Sequence, residues 1–421
     1  MAATWTSEQG ATWTTLVGHF CRNVGELQVR ALRRRATTAA RVADAKGTYA
    51  AVPMSRAAAW ARAIDALGID AAFVEPKAVA GCGVGLFTKR ALKRGEAALV
   101  VAREQWWPYS ATAAHECAAA SHPGVLRRIE TMAVELGAGK GNLVKSVVHA
   151  ADLARRVRPA AEQSAYLDAL PRDLDAPLMW PAPLRLLLGG TSCEVTCAQQ
   201  LALSTTLHDV AAELDNPPLA LRDFLWAQAV LLSRAHAGEG KPLALVPALD
   251  LLNHQTLPNA EVCFDASAAA FAVHALRPVD AGDELTIDYG VGAAHKLLRM
   301  YGFVSSSARG GALLALASGS SEAAASLRDA GLPTLLPLEW DEPRERRVRL
   351  PVLDAAARGV LGSALQAQMK RLSGARAAID AVFAAGEDVD ARTRRRAELC
   401  RALHEHEGPL LSAALEQLRQ R

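Results

Sequence analysis

Two short runs in which apolar and polar residues alternate restrict this chain more than any other feature. Ala260, Val262 and Phe264 form the first run, and Phe271, Val273 and Ala275 the second. A period of two is that of strands buried on one face, here a hairpin. The turn-forming stretch Pro278-Val-Asp-Ala-Gly-Asp-Glu284 then leads into Leu285-Thr-Ile287, a short strand aimed at Tyr289 in a tight Tyr-Gly turn. Ala248-Leu-Asp-Leu-Leu-Asn-His254 lies just upstream, and Leu297-Leu-Arg-Met-Tyr-Gly-Phe303, an amphipathic exit helix, just downstream. Strands this short, with little strand-helix-strand rhythm, predict an irregular α+β fold onto which helices are grafted.

A second β-rich piece comes much earlier, at Gly81-Cys-Gly-Val-Gly-Leu-Phe-Thr-Lys-Arg90 and Ala97-Ala-Leu-Val-Val101, joined by the turn Lys93-Arg-Gly-Glu96. Its glycines are not a dinucleotide fingerprint, which needs Gly-x-Gly-x-x-Gly between a strand and a long helix. Here the spacing differs and a turn and another strand follow.

Between the two β-rich pieces, from about 105 to 240, the pattern is helical and alanine-rich, with Trp106, Trp107, Leu126, Ile129, Leu143, Val147 and Leu153 as core candidates. Asp223 is placed to cap a helix whose broad apolar face carries Phe224, Leu225, Gln228, Leu231 and Leu232, and Ser233-Arg234 closes that helix. Upstream, Ser55 as N-cap, Trp60, Ile64 and Leu67 at helical spacing and Gly68 as terminator mark the first folded element. Beyond Phe303, Ser305-Ser-Ser-Ala-Arg-Gly-Gly311 and Ser318-Gly-Ser-Ser321 read as loop tips. The rest is helical, with a leucine stripe at 399, 403, 410, 411, 415 and 418 interrupted at Gly408-Pro409. The expected organisation is an extension over 1–54, a main domain over 55–304 containing the helical insertion, and an all-α domain over 305–421.

A 51% apolar fraction is ample for cores, and a net charge of +3 with both signs interspersed gives no polybasic footprint for nucleic acid or a membrane surface. The apolar run Leu243-Ala-Leu-Val-Pro-Ala-Leu249 is cut by Asp250, well short of the about 18 residues a spanning helix needs. Seven scattered cysteines suit a reducing compartment. Cys193 and Cys197 are close, but no second pair follows at zinc spacing, and His236, His254, His274 and His295 form no i, i+4 ligand pair, so no metal is expected. Residues 1–54 hold seven basic and three acidic residues among many Thr and Ala. That composition suits a transit peptide, with a plain extension as the alternative.

The residues Gly83-Val-Gly-Leu-Phe87 with Gly95-Glu96, Asp250-Leu-Leu-Asn-His254, Gly282-Asp-Glu284, Asp288-Tyr-Gly290 and Tyr301-Gly-Phe303 occur in an order that resembles SET-domain protein methyltransferases. The helical insertion, Ser233-Arg234 and the C-terminal helices are similar to the Rubisco large-subunit methyltransferase-like branch. This resemblance implies a β-rich SET fold, S-adenosylmethionine as methyl donor and a protein lysine as acceptor. It implies that Cys82, Gly83 and Val84 lie along the cofactor, that Asn253 and His254 hold it, that Arg234 pairs with its carboxylate and that Phe303 packs on its adenine. It further implies Tyr289 as catalytic tyrosine, also against the cofactor, with Ser233, Asp250 and Ile287 lining the lysine channel. Tyr289 is then expected where the three segments meet. A C-terminal substrate-binding module, a plastid address and Rubisco or another stromal enzyme as acceptor follow from the same resemblance, with a cytoplasmic enzyme as the alternative.

The chain departs from the family at Ala294, where an asparagine would anchor the exit helix, and at Gln255, where serine is frequent. No cysteine-rich segment follows Phe303. A histidine acceptor and a SET-fold binding protein without catalysis are the alternatives.

Overall fold

The computed structural model describes residues 56–80, 82–106, 111–135, 142–156, 164–215, 218–238, 241–305, 307–308, 311–316, 335–342, 347–386 and 389–420. The extension 1–54, Ser55, Gly81, Trp107 and Ser318–Ser321 lie outside them. In chain order the elements are α1 (Arg56–Ala66), β1 (Val74–Val79), β2 (Gly83–Thr88), β3 (Ala97–Ala102), α2 (Ala111–Ser121), α3 (Pro123–Glu135), α4 (Asn142–Arg156) and α5 (Ala165–Ala169). Then come α6 (Ala182–Arg185), α7 (Ser192–Ala211), α8 (Leu221–Arg234), β4 (Ala235–Gly238), β5 (Lys241–Leu245), β6 (Asn253–His254), β7 (Ala260–Asp265), β8 (Ala270–Ala275) and β9 (Glu284–Ile287). The chain continues through α9 (Ala294–Tyr301), β10 (Ala312–Ala315), β11 (Leu335–Leu338), β12 (Trp340–Glu342), β13 (Arg347–Val348), α10 (Ala355–Ala384) and α11 (Ala391–Gln420).

These residues divide into two compact units, 56–174 with 207–291 and 175–206 with 292–420. In the first, β7 and β8 pair with Ala260 opposite Ala275, Val262 opposite Val273 and Phe264 opposite Phe271, so the alternating residues share a face. β3 extends this sheet along β8. The Trp106 ring seals it, 5.1 Å from Phe271 and 6.1 Å from Phe264. A second sheet has the order β1-β2-β9-β6. Leu126, Ile129, Leu143, Val147 and Leu153 are all buried. Asp223 does not cap α8 as expected: the helix starts at Leu221 with Ala220 in the cap position. Asp223 sits inside the first turn, where a carboxylate still favours the positive end of the helix dipole.

The second unit is largely helical, and the stretch read as all-α also carries the pairs β10-β11 and β12-β13, which no clear alternation announces. Leu314, Leu338, Leu361, Leu365, Leu410 and Leu411 share its core with these strands. The interruption expected at Gly408-Pro409 does not occur, because α11 runs through Pro409. Proline in a helix interior costs about 3 kcal/mol, which burial of Leu403, Leu410, Leu411 and Leu415 offsets at about 1.5–3 kcal/mol each. Ala294 leaves the exit helix α9 intact, since Ala294, Leu297 and Leu298 are all buried.

Glu407 is completely buried, and its Oε2 accepts from the Ser192 backbone N–H at 2.7 Å and the Ser192 hydroxyl at 2.8 Å. Burial pushes its carboxyl up from 4.5 to about 8. Between those values the unfolded chain binds fewer protons at this group than the folded chain, so Glu407 makes stability fall as pH rises. Glu407→Gln is expected to keep the Ser192 contacts and flatten that slope. Glu407→Ala, which strands the Ser192 donors, is expected to cost about 1–3 kcal/mol. Urea unfolding at pH 5 and pH 8 reads both effects.

Candidate active site

The geometry begins at Ala248, fully buried with φ 72° and ψ −40°. A non-glycine residue in such a conformation costs about 1–3 kcal/mol and persists where packing over-determines it, often beside a ligand site. The 3₁₀ turn Leu249–Leu251 follows, then β6, which runs parallel to β9 with Asn253 opposite Thr286 and His254 opposite Ile287.

β9 is held in place by side chains. Asn259 donates from Nδ2 to the Glu284 carbonyl and accepts the Thr286 N–H on Oδ1, both at 2.8 Å. Gln255 accepts from the Thr286 hydroxyl at 2.9 Å, while its N–H donates to the Ile287 carbonyl at 2.9 Å. The residue that departs from the family is thus used to pin the strand.

The Asn253 amide donates from Nδ2 to Glu284 Oε1 at 2.6 Å. This pair rests on Gly85 of β2, where an added Cβ would lie 2.3 Å from that carboxylate oxygen and 3.0 Å from the amide nitrogen. β2 runs antiparallel to β9, with Leu86 opposite Leu285. Cys82 and Gly83 are exposed at the turn end of the β1-β2 hairpin and Val84 is half-buried, all leading into Gly85.

Tyr289 closes on the same stretch. Its hydroxyl donates to the Leu252 carbonyl at 2.8 Å, its N–H donates to His254 Nδ1 at 3.2 Å, and the two ring centroids are 5.2 Å apart. The phenolic proton is therefore committed, while the oxygen keeps lone pairs for a bound group. Nδ1 of His254 acts as acceptor, which puts the proton of the neutral imidazole on Nε2. Burial lowers the His254 pKa, against the pull of Asp288 and the Ile287 carbonyl, so the ring is neutral near pH 7.

Arg234 donates from Nη1 to the Asp250 carbonyl at 2.8 Å, and its guanidinium lies 5.7 Å from the Trp60 ring centroid. Its Nε is buried and has no hydrogen-bond partner among the described residues. The Asp250 carboxylate accepts from the Tyr166 hydroxyl on Oδ2 at 2.8 Å, and the Ala248 and Asp250 main-chain N–H groups also favour its ionised form. Burial raises this carboxyl to about 6, with Arg234 and Tyr166 pulling it down. The Ser233 hydroxyl donates back into α8, to the Ala229 carbonyl at 2.8 Å. Ile287 is buried.

One connected set thus contains Arg234, Asp250, Asn253, His254, Ile287 and Tyr289, with Cys82–Val84 and Ser233 adjoining it. Phe303 belongs to the second unit, where its ring centroid is 6.2 Å from that of Tyr301. The sequence marks Glu284 as the end of Gly282-Asp-Glu284 without assigning it a role, and gives Asn259 and Tyr166 none. A polar residue between turn and strand, as in Pro258-Asn259, was the available signal for Asn259. Among the described residues no group of three or more His, Cys, Asp and Glu is arranged to hold a metal.

Residues 83–290 match the family described as SET domain. They form a SET domain. It opens at Gly83 and closes at Gly290, so the match spans both the glycine hairpin and the Tyr289 turn. The chain is similar to human N-lysine methyltransferase SETD6, at 29% identity over 244 residues, 53% of this chain and 48% of that protein. It is also similar to the tobacco chloroplastic ribulose-1,5-bisphosphate carboxylase/oxygenase large subunit N-methyltransferase, at 27% over 252 residues, 54% and 47% of the two chains. The chain spans about half the length of the curated relatives it matches. Among solved structures, the SET domain of LSMT bound to methyllysine and AdoHcy gives a TM-score of 0.59 at 17% identity, covering 88% of this chain and 92% of that one. The SET domain of LSMT bound to lysine and AdoHcy gives 0.57 at 18%, covering 87% and 91%. At these identities the structural likeness is one of fold. This SET domain is related to the Rubisco large-subunit methyltransferase branch.

Proposed function

We propose that the chain is an S-adenosylmethionine-dependent protein-lysine N-methyltransferase. The observation that carries this is the Tyr289 hydroxyl, anchored on the Leu252 carbonyl beside the Asn253-His254 strand of a SET domain. The residues fit the cofactor: the buried, unpartnered Nε of Arg234 is a donor suited to a carboxylate, and the strand edge at Asn253-His254 adjoins the glycine hairpin. Arg234, Cys82–Val84, Asn253 and His254 hold the cofactor in this proposal.

S-adenosylmethionine, when bound, supplies an electrophilic methyl group on a sulfonium. The chain's own task is alignment, because holding two reacting groups in line can supply about 7–11 kcal/mol of the barrier. Tyr289, with its proton given to Leu252, presents lone pairs that orient an amine, and the Ile287 carbonyl assists. Ser233, Asp250 and Ile287 wall the acceptor channel. A lysine has a reference pKa of about 10.4, and withdrawal from water into such a channel favours its neutral form. No strong protein base is needed.

The acceptor is a non-histone protein in this proposal, a stromal enzyme such as the Rubisco large subunit, and residues 1–54 direct the chain to the plastid. The groove of about 1140 Å³ along α10 and α11, lined by Met369, Leu372, Arg376, Glu405 and Pro409 among others, is the docking surface offered by the C-terminal module. No helix among the described residues is long and apolar enough to cross a membrane.

Calorimetric titration with S-adenosylmethionine is expected to show saturable binding, and labelled cofactor is expected to mark a protein in plant stromal extract. No saturable binding would leave a SET-fold scaffold. Mass spectrometry of the labelled peptide identifies lysine or histidine as acceptor. Imaging a fluorescent fusion to residues 1–60 tests the address, and cytosolic fluorescence would overturn it.

A further inference from the structure

Arg234 is held on two sides. Its Nη1 donates to the Asp250 main-chain carbonyl at 2.8 Å, and its guanidinium lies over the Trp60 indole, 5.7 Å from the ring centroid. A single hydrogen bond leaves a planar group free to turn about the bond axis. An aromatic face beneath the plane removes that freedom, because the ring's negative face attracts the cation. The Nε donor, buried and with no hydrogen-bond partner among the described residues, is therefore aimed before any ligand arrives.

Trp60 itself has little room to move. It is 2% exposed, on the face of α1 that also buries Ala63 and Ile64, and its ring meets that of Tyr166 edge-on with centroids 5.6 Å apart. Tyr166 is buried in turn, with its hydroxyl bonded to the Asp250 carboxylate at 2.8 Å. The indole thus lies between a fixed phenol and the guanidinium. Arginine carries much rotamer entropy, and a donor ordered in advance lowers the ordering cost that a ligand must meet on binding. α1 ends at Ala66, upstream of the residues 83–290 that match the SET domain.

We propose that Trp60 is a positioning residue of the cofactor site: its indole fixes the Arg234 guanidinium so that the Nε–H meets the carboxylate at the amino-acid end of the cofactor. This rests on the methyltransferase function proposed above and deepens it, giving α1, a helix outside the SET match, a part in cofactor binding. A tryptophan that only fills the core supports every portion of the ligand alike. One that acts through Arg234 matters only to ligands that carry the carboxylate.

Calorimetry on the full chain separates the two by comparing S-adenosylhomocysteine, which carries the carboxylate, with 5′-methylthioadenosine, which keeps the adenosine and thioether and lacks the amino-acid end. Trp60→Leu is expected to weaken S-adenosylhomocysteine binding about tenfold, within the range of a desolvated cation–aromatic contact. Trp60→Phe, which keeps an aromatic face and a ring in the core, is expected to lose only about threefold. Both variants are expected to bind 5′-methylthioadenosine within about twofold of wild type. In an Arg234→Met background Trp60→Leu is expected to cost no further S-adenosylhomocysteine affinity, because the two residues act through one contact. Urea unfolding shows that each variant is folded, and Trp60→Phe carries the same comparisons if Trp60→Leu does not fold. Equal losses for the two ligands, a loss that persists undiminished in the Arg234→Met background, or unchanged S-adenosylhomocysteine affinity overturn the proposal. Saturable cofactor binding and labelling of an extract protein by the wild type keep the methyltransferase function standing in that event. Absence of both in the wild type removes the two together.

Discussion

Tyr289→Phe is expected to lower methyl transfer on the order of 100-fold, the scale of losing one preorganised polar group at a reacting centre. S-adenosylmethionine affinity should stay within a few-fold. The substitution removes one oxygen and little else: the Tyr289 N–H still reaches His254 Nδ1, and the ring can keep its 5.2 Å contact with the imidazole. What disappears is the hydrogen bond to the Leu252 carbonyl and the lone pairs that it aims. Transfer of labelled methyl to the extract acceptor, set beside calorimetric cofactor binding, separates the two. Turnover equal to wild type on that acceptor would sink the role given to Tyr289.

Gly85→Ala is expected to weaken S-adenosylmethionine binding at least about tenfold, equivalent to about 1.4 kcal/mol. The new methyl would lie 2.3 Å from Glu284 Oε1, 2.9 Å from Val79 Cγ2 and 3.0 Å from Asn253 Nδ2. The Glu284 carboxylate is the end of a flexible side chain and can move, so the stability loss should be modest, about 1–2 kcal/mol, within the usual range for overpacking. Moving it, however, breaks the 2.6 Å bond that orients the Asn253 amide. A Glu284→Ala background supplies the check. There Gly85→Ala should cost little more than Glu284→Ala alone, because neighbours that share one contact do not add. Full additivity would mean that Gly85 acts through something other than this pair.

The elements were legible where a single period carried them. The Ala260–Ala275 hairpin, the buried helix positions from Leu126 to Leu153 and the helix ending before Gly68 each follow from local pattern, and the order of motifs pointed to the SET fold. Local signals failed where packing overrode them. Pro409 reads as a break, yet the buried leucines on either side of it keep α11 continuous. Asp223 reads as a cap, yet α8 starts two residues earlier. β10 to β13 are only two to four residues long, too short for an alternating pattern to mark them. Within the candidate site, Tyr289, Asn253 and His254 were legible through their motifs, but the contacts of Glu284, the last residue of the motif Gly282-Asp-Glu284, and those of Asn259 and Tyr166 were not. Each acts by touching a partner remote in sequence: Glu284 reaches Asn253 and Gly85, Asn259 reaches Thr286, and Tyr166 reaches Asp250. Residue type alone gives such roles no mark.

The β1-β2-β9-β6 sheet also bears on how the molecule comes into being. β2 pairs with its neighbour β1 on one edge but with β9 on the other, with Leu86 against Leu285, and everything between β2 and β9 in the chain must be made before that second pairing can form. Loop closure over so long a span is paid before the pairing returns anything, which makes non-local pairing slow. On a ribosome, β2 leaves the exit tunnel long before β9 exists, and its exposed edge waits unpartnered through synthesis of the whole helical insertion. Competence to bind a ligand between these strands therefore arrives late and all at once, so that cofactor binding during refolding would report the closing step of this domain rather than the formation of its helices.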